Sequence, residues 1–150
     1  MKHTFVASLV LLFYAISAIS AEPSFDRKML LGTWEYKLPG VLNGLTGYTT
    51  YKDDGTSLQI ARGKALGMTK WIFVEARWRL EGDQLPISIL RSNIGIPVGK
   101  TDSSQVLRLS ASEFTYRESD GTVRTEHRVT SIPKEFQAQL EDAQRKFNTK

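Results

Sequence analysis

TKWIFVEARWRLEG, residues 69–82, decides the fold class. Ile72, Val74, Ala76, Trp78 and Leu80 recur at every second position, with Glu75, Arg77 and Arg79 between them. A period of two belongs to a strand with one face buried, whereas a helix would repeat its apolar positions every 3.6 residues. Glu81-Gly82-Asp83 then closes the stretch as a tight polar turn, in which Gly82 supplies the positive φ of a short hairpin.

The same alternation extends in both directions. LLGTWEYKL, LTGYTTYKDDG and TSLQIA precede this strand; QLPISIL, QVLRLS, EFTYRES and TVRTEHRVT follow it. Eight strands joined in sequence predict an all-β fold, an eight-stranded up-and-down antiparallel β-barrel. Phe136, Leu140, Ala143 and Phe147 then recur at steps of four, three and four after Pro133, which predicts a C-terminal α-helix over 133–148, packed by one narrow stripe on the outside of the sheet.

In such a meander, alternate connections share one end. The even ones, Asp53-Asp54-Gly55, Glu81-Gly82-Asp83 and Ser110-Ala111-Ser112, are tight and polar. The first, third and fifth, LPGVLNGLTG (38–47), ARGKALGMTK (61–70) and RSNIGIPVGKTDSS (91–104), read as longer, apolar loops gathered at the other end. Arg62, Lys64, Lys70, Arg91 and Lys100 lie in or beside them, and no acidic residue occurs in 38–47, 61–70 or 86–101. Together with Leu66, Met68, Ile94, Ile96 and Val98 they predict a basic, apolar rim suited to an anionic amphiphile or an acidic protein surface.

The N-terminal residues MKHTFVASLVLLFYAISAIS have a positive end at Lys2, an apolar run and small residues before the polar Glu22, which predicts a signal peptide over 1–21 and a domain over 22–150. The apolar run is shorter than the about 20 residues of a membrane span, so the expected mature chain has no stable span and is exported, periplasmic or secreted. The formal charge is +4; Lys2 is the one charged residue in 1–21, so the remainder carries about +3. With no dense Lys/Arg run, nucleic acid is not an expected partner. There is no cysteine, so the fold rests on its core, for which 41% apolar residues suffice.

Gly32-Thr33-Trp34 at the head of the first strand, Lys52 to Thr56 and Trp78 to Leu85 resemble the lipocalin and calycin families, in particular small lipocalin-like proteins exported by bacteria. The resemblance implies that Trp34 plugs the closed base of the barrel behind Gly32, and that an arginine near the end of the last strand packs across the indole. Arg128 is the matching residue and Arg124 a weaker one; the alternative is that Arg128 is a solvated strand residue. The paired cysteines of many lipocalins are absent.

An eight-stranded barrel is either filled or just wide enough for one small ligand. Inward candidates are Tyr48, Tyr51, Leu58, Ile60, Ile72, Val74 and Trp78, then Leu107, Leu109, Phe114, Tyr116, Val123 and Val129. The phase of Val123 and Val129 includes Thr125 and His127, so Tyr116, Thr125 and His127 form a candidate set for a ligand head group, with Arg62, Lys64, Arg91, Ile94 and Ile96 at the rim. A buried histidine satisfied by protein partners is the alternative. Catalysis has little support, because His127 is the one histidine after residue 21 and a Cys nucleophile is excluded; no metal or cofactor is expected. The leading expectation is a non-enzymatic binding protein that holds a small hydrophobic or anionic amphipathic ligand. The second is a protein-binding module, an inhibitor, immunity-type or envelope assembly factor, that uses the apolar basic loops.

Overall fold

Alternating β-branched and aromatic residues form eight strands in the computed structural model, which describes residues 24–42 and 44–149. The expected signal peptide over 1–21 lies outside them. The strands are β1 (Gly32–Leu38), β2 (Leu45–Tyr51), β3 (Thr56–Ala65), β4 (Met68–Trp78), β5 (Gln84–Ser92), β6 (Thr101–Leu109), β7 (Glu113–Arg117) and β8 (Val123–Val129). Each pairs antiparallel with the next, and β8 returns to β1 to close the barrel. A four-residue helix, α1 (Arg27–Leu30), precedes them, and α2 (Lys134–Asn148) follows. The short α1 carries no apolar period in the sequence.

The base, at the end of the tight even turns, is solid. Leu30, Trp34, Tyr51, Trp78, Leu85 and Phe114 are among the buried residues that fill it. Trp34 and Arg128 are cross-strand partners at the β1–β8 seam, and the Arg128 guanidinium lies over the indole at 4.2 Å from the ring centroid. The same guanidinium donates to the carbonyls of Leu31 (2.5 Å), Ala111 (2.6 Å) and Met29. The indole N–H in turn donates to the Leu30 carbonyl at 2.8 Å. Arg128 is therefore a structural element of the base, bridging the chain before β1, the β6–β7 turn and β8. Gly32 is required beside it: its φ is +113°, and a Cβ there would meet Arg128 Nη1 at 2.6 Å.

Hydrophobic phase misleads on four strands, β2, β3, β6 and β8. Tyr48, Leu58 and Ile60 do not point inward; with Phe73 they pack beneath Phe136 and Leu140 of α2. Because α2 covers β3 and β4 from outside, these strands are apolar on both faces and their alternation cannot by itself say which face is the interior. On β8 the phase is inverted: Glu126 is buried, while Val123, Thr125 and His127 are exposed. Leu107 is exposed as well, next to a bulge between Val106 and Arg108 that shifts the register of β6. Tyr51, Ile72, Val74, Trp78, Leu109, Phe114 and Tyr116 keep the expected direction, facing the base core or the interior cavity.

The third connection is not a long loop. β3 and β4 remain paired to Ala65↔Met68, joined by the two-residue turn Leu66-Gly67 with both φ values positive, as a type I′ hairpin requires. Among the odd connections, 39–44 and 93–100 are the longer ones.

Arg128→Met removes three charge-assisted hydrogen bonds and the cation–π contact, so it should lower unfolding free energy by roughly 3 kcal/mol or more. Arg77→Met, an exposed change, should shift it by less than about 0.5 kcal/mol. Urea unfolding of the two variants checks this; equal effects would show that Arg128 is not what closes the base.

Candidate functional site

Above the base core the barrel is open. Small or polar inward residues, Thr49 on β2, Ser57 and Gln59 on β3, Ala76 on β4 and Ser104 on β6, leave a cavity of about 220 Å³ with Val74, Ile87, Ile89 and Tyr116 around it. A second lobe of about 220 Å³ lies toward the odd end, lined by Tyr36, Leu38, Leu45 and Ile72. The two share Gln59, Val74, Ile96, Tyr116, Glu118 and Glu126.

Tyr36 crosses the upper lobe because its cross-strand partner is Gly47, where a Cβ would meet the ring at 2.1 Å. Its hydroxyl accepts from Gln59 Nε2 at 2.6 Å.

The cover is the fifth connection. β4 pairs with β5 only from Val74 onward, and Asn93 bridges the break: its Oδ1 accepts from Phe73 N at 2.8 Å and its Nδ2 donates to the Trp71 carbonyl at 3.1 Å. Residues 94–98 then pass across the mouth. Ile96 lines both lobes and Ile94 the upper one, while Val98 stays exposed.

Glu126 is the polar centre of the cavity. It is 3% exposed, and its Oε1 accepts from the Tyr116 hydroxyl at 2.9 Å. Its Oε2 is buried and has no hydrogen-bond partner among the described residues. Burial pushes the carboxyl up to about 7, assisted by the nearby Glu118 charge and opposed by the Tyr116 hydrogen bond. Burial and the same carboxylate push the Tyr116, Tyr36 and Tyr51 hydroxyls upward, so all three remain protonated donors. Arg124, the cation of the lining, gives its Nε and Nη2 to Glu118 at 3.1 Å.

The structure does not bring Tyr116, Thr125 and His127 together. Tyr116 faces the cavity, but Thr125 pairs with Thr115 on the outer face, hydroxyl to hydroxyl at 3.0 Å, and His127 is exposed on that face. Glu126, between them in sequence, takes the inward position. It was hidden because a lone glutamate between polar residues carries no periodic signal; the one clue was its alternation with Arg124 and Arg128.

Nor do the cations ring the mouth. Arg62 pairs with Glu135 of α2 at 2.6 Å and lies over the Phe136 and Trp71 rings. Arg91 pairs with Glu75, donates to Asn148 and lies over Phe147. Both clamp α2 to the outside of the barrel. Lys64 is exposed beside Arg62 in a shallow outer groove, and only Ile94 and Ile96 of the expected rim set line the interior. Among the described residues no group of three or more His, Cys, Asp or Glu side chains is placed to hold a metal ion, and no helix is long and apolar enough to cross a membrane.

No family model matches the chain, and no curated protein matches it significantly. Among solved structures it is similar to a lipocalin-like protein from Bacteroides uniformis ATCC 8492, with 19% identity and a TM-score of 0.46, over 67% of this chain and 99% of that one. The architecture rests on the barrel itself: an eight-stranded closed up-and-down meander, a GTW segment at its closed base, an arginine across the indole and a helix after the last strand.

A carboxyl whose folded pKa is raised binds more protons in the native state than in the unfolded chain between about 4.5 and 7. Its contribution to stability is therefore complete below 4.5 and is lost as pH rises through 7. The wild type should lose roughly 3 kcal/mol between pH 4.5 and 8 from this group, and Glu126→Gln should be flatter over that range and melt higher at pH 8. Thermal unfolding of both proteins at pH 5, 6, 7 and 8 measures this; parallel curves would contradict it.

Proposed function

We propose that the chain is a non-enzymatic binding protein that takes one small, largely apolar molecule into the barrel, between the Trp34–Arg128 base and the 93–100 loop. The observation that carries this reading is the two-lobed cavity with Ile96 folded over it. Each lobe, at about 220 Å³, is smaller than the about 300 Å³ at which ordinary ligand pockets begin. A compact ligand suits it better than a long acyl chain. Apolar walls from Val74, Ile87 and Ile89 would hold the body of the molecule, and Gln59, Tyr116 and Glu126 would orient its polar end.

Binding is favoured over catalysis because His127, the one histidine among the described residues, lies on the face of β8 opposite the cavity. An exported location, periplasmic or secreted, belongs to the same proposal and rests on residues 1–21. The alternative reading, a protein-binding module, is motivated by Leu66, Met68 and Val98, exposed at the mouth end at 93%, 54% and 74%.

Native mass spectrometry of the protein isolated from its own host tests both. The expected spectrum shows a small bound mass that leaves on denaturation and is lost or reduced in Ile96→Ala. Removing the Ile96 side chain from the mouth should weaken binding about fivefold, roughly 1 kcal/mol. A co-purifying polypeptide with an empty barrel would instead favour the protein-binding reading.

A further inference from the structure

We propose that the barrel is selective for a protonated amine carried on an apolar body, with Glu126 Oε2 as the atom that receives its N–H. The inference rests on the reading of the interior as a ligand site and names the chemistry of the ligand's polar end.

A buried carboxyl with one oxygen satisfied and the other not is an uncommon arrangement, since buried polar groups nearly always find partners. Protonation does not resolve it: as a carboxylate Oε2 lacks a donor, and as a carboxylic acid its O–H lacks an acceptor among the described residues. Either state leaves a cost of about 1–3 kcal/mol, and in the carboxylate it is a ligand donor that relieves it. Glu126 is in the wall of both lobes.

Charge selects a cation among possible donors. Glu118, Glu126 and, at the β6 edge, Asp102 face the space. The groups around Glu126 are Tyr36 on β1, Tyr51 on β2, Gln59 on β3, Tyr116 and Glu118 on β7 and its end, and Arg124 on β8. Arg124 is the one cation among them and is spent on Glu118. A fatty-acid carboxylate would enter a site with no free cation and at least one buried acid, whereas an ammonium would form a charge-assisted hydrogen bond. Tyr36, Tyr51 and Tyr116 line the same space.

The test compares hexylamine, hexan-1-ol and hexanoate, equal in chain length, by calorimetry on the full folded protein at pH 8, with Glu126→Gln as the variant. Hexylamine should bind about tenfold or more tighter than the other two, and in Glu126→Gln its advantage over hexan-1-ol should disappear. In the wild type, which removes any question of variant folding, the amine's affinity should rise several-fold from pH 6 to pH 8 while that of the alcohol stays constant. Equal or tighter binding of hexanoate or hexan-1-ol at pH 8, or undiminished amine binding in Glu126→Gln, overturns the amine proposal and leaves the cavity as a ligand site. Binding of none of the three overturns both.

Discussion

Arg128 and Trp34 face each other across the strands that close the barrel, with the guanidinium 4.2 Å from the indole centroid. An eight-strand meander must close its last strand on its first, and here only Thr33, Trp34 and Glu35 of β1 pair with β8. So short a seam needs reinforcement. A guanidinium stacked on the indole, with donors to Met29, Leu31 and Ala111, ties three chain segments that are far apart in sequence. A planar cation with several fixed donors does this, and a lysine would not. Placing a charge at the base also explains the inverted phase of β8: with Arg128 pointing in, strand geometry obliges Glu126 and Arg124 to point in as well.

The outer helix completes the same logic. α2 gives an apolar covering to β3 and β4, so part of the hydrophobic stabilisation of the protein lies outside the barrel, in the cluster of Tyr48, Leu58, Ile60, Phe73, Phe136 and Leu140. Arg62 and Arg91 hold that helix through Glu135, Asn148 and the aromatic rings. With one core at the base and another beneath α2, the middle of the barrel need not be packed solid. Its inward positions are small or polar, Thr49, Ser57, Gln59 and Ala76, and a cavity remains.

Strand order, the even turns and the outer helix are legible in the sequence, because each has a local signature: a period of two, a D-G or E-G turn, a helical stripe; the place of Trp34 at the base follows from the resemblance instead. The candidate site is much less so. Tyr116, Ile94 and Ile96 do line the cavity, but the Thr125–His127 pair lies outside it. Phase assigned from Val123 and Val129 assumes that apolar residues face inward, and that assumption fails on a strand whose inward residues are Arg124, Glu126 and Arg128. The positive rim misled for a related reason. The absence of acids within three loop segments says nothing about Glu75 and Glu135, which come from elsewhere in the chain to pair with Arg91 and Arg62.

The decisive feature of the interior is a buried carboxyl, Glu126, with one oxygen unpaired among the described residues. Its most direct test is the carbon-13 NMR titration of the Glu126 side-chain carboxyl in the ligand-free protein. The structure predicts a midpoint near 7, raised by burial. A midpoint at the ordinary glutamate value of about 4.3 would contradict it, because Glu126 would then be hydrated or paired.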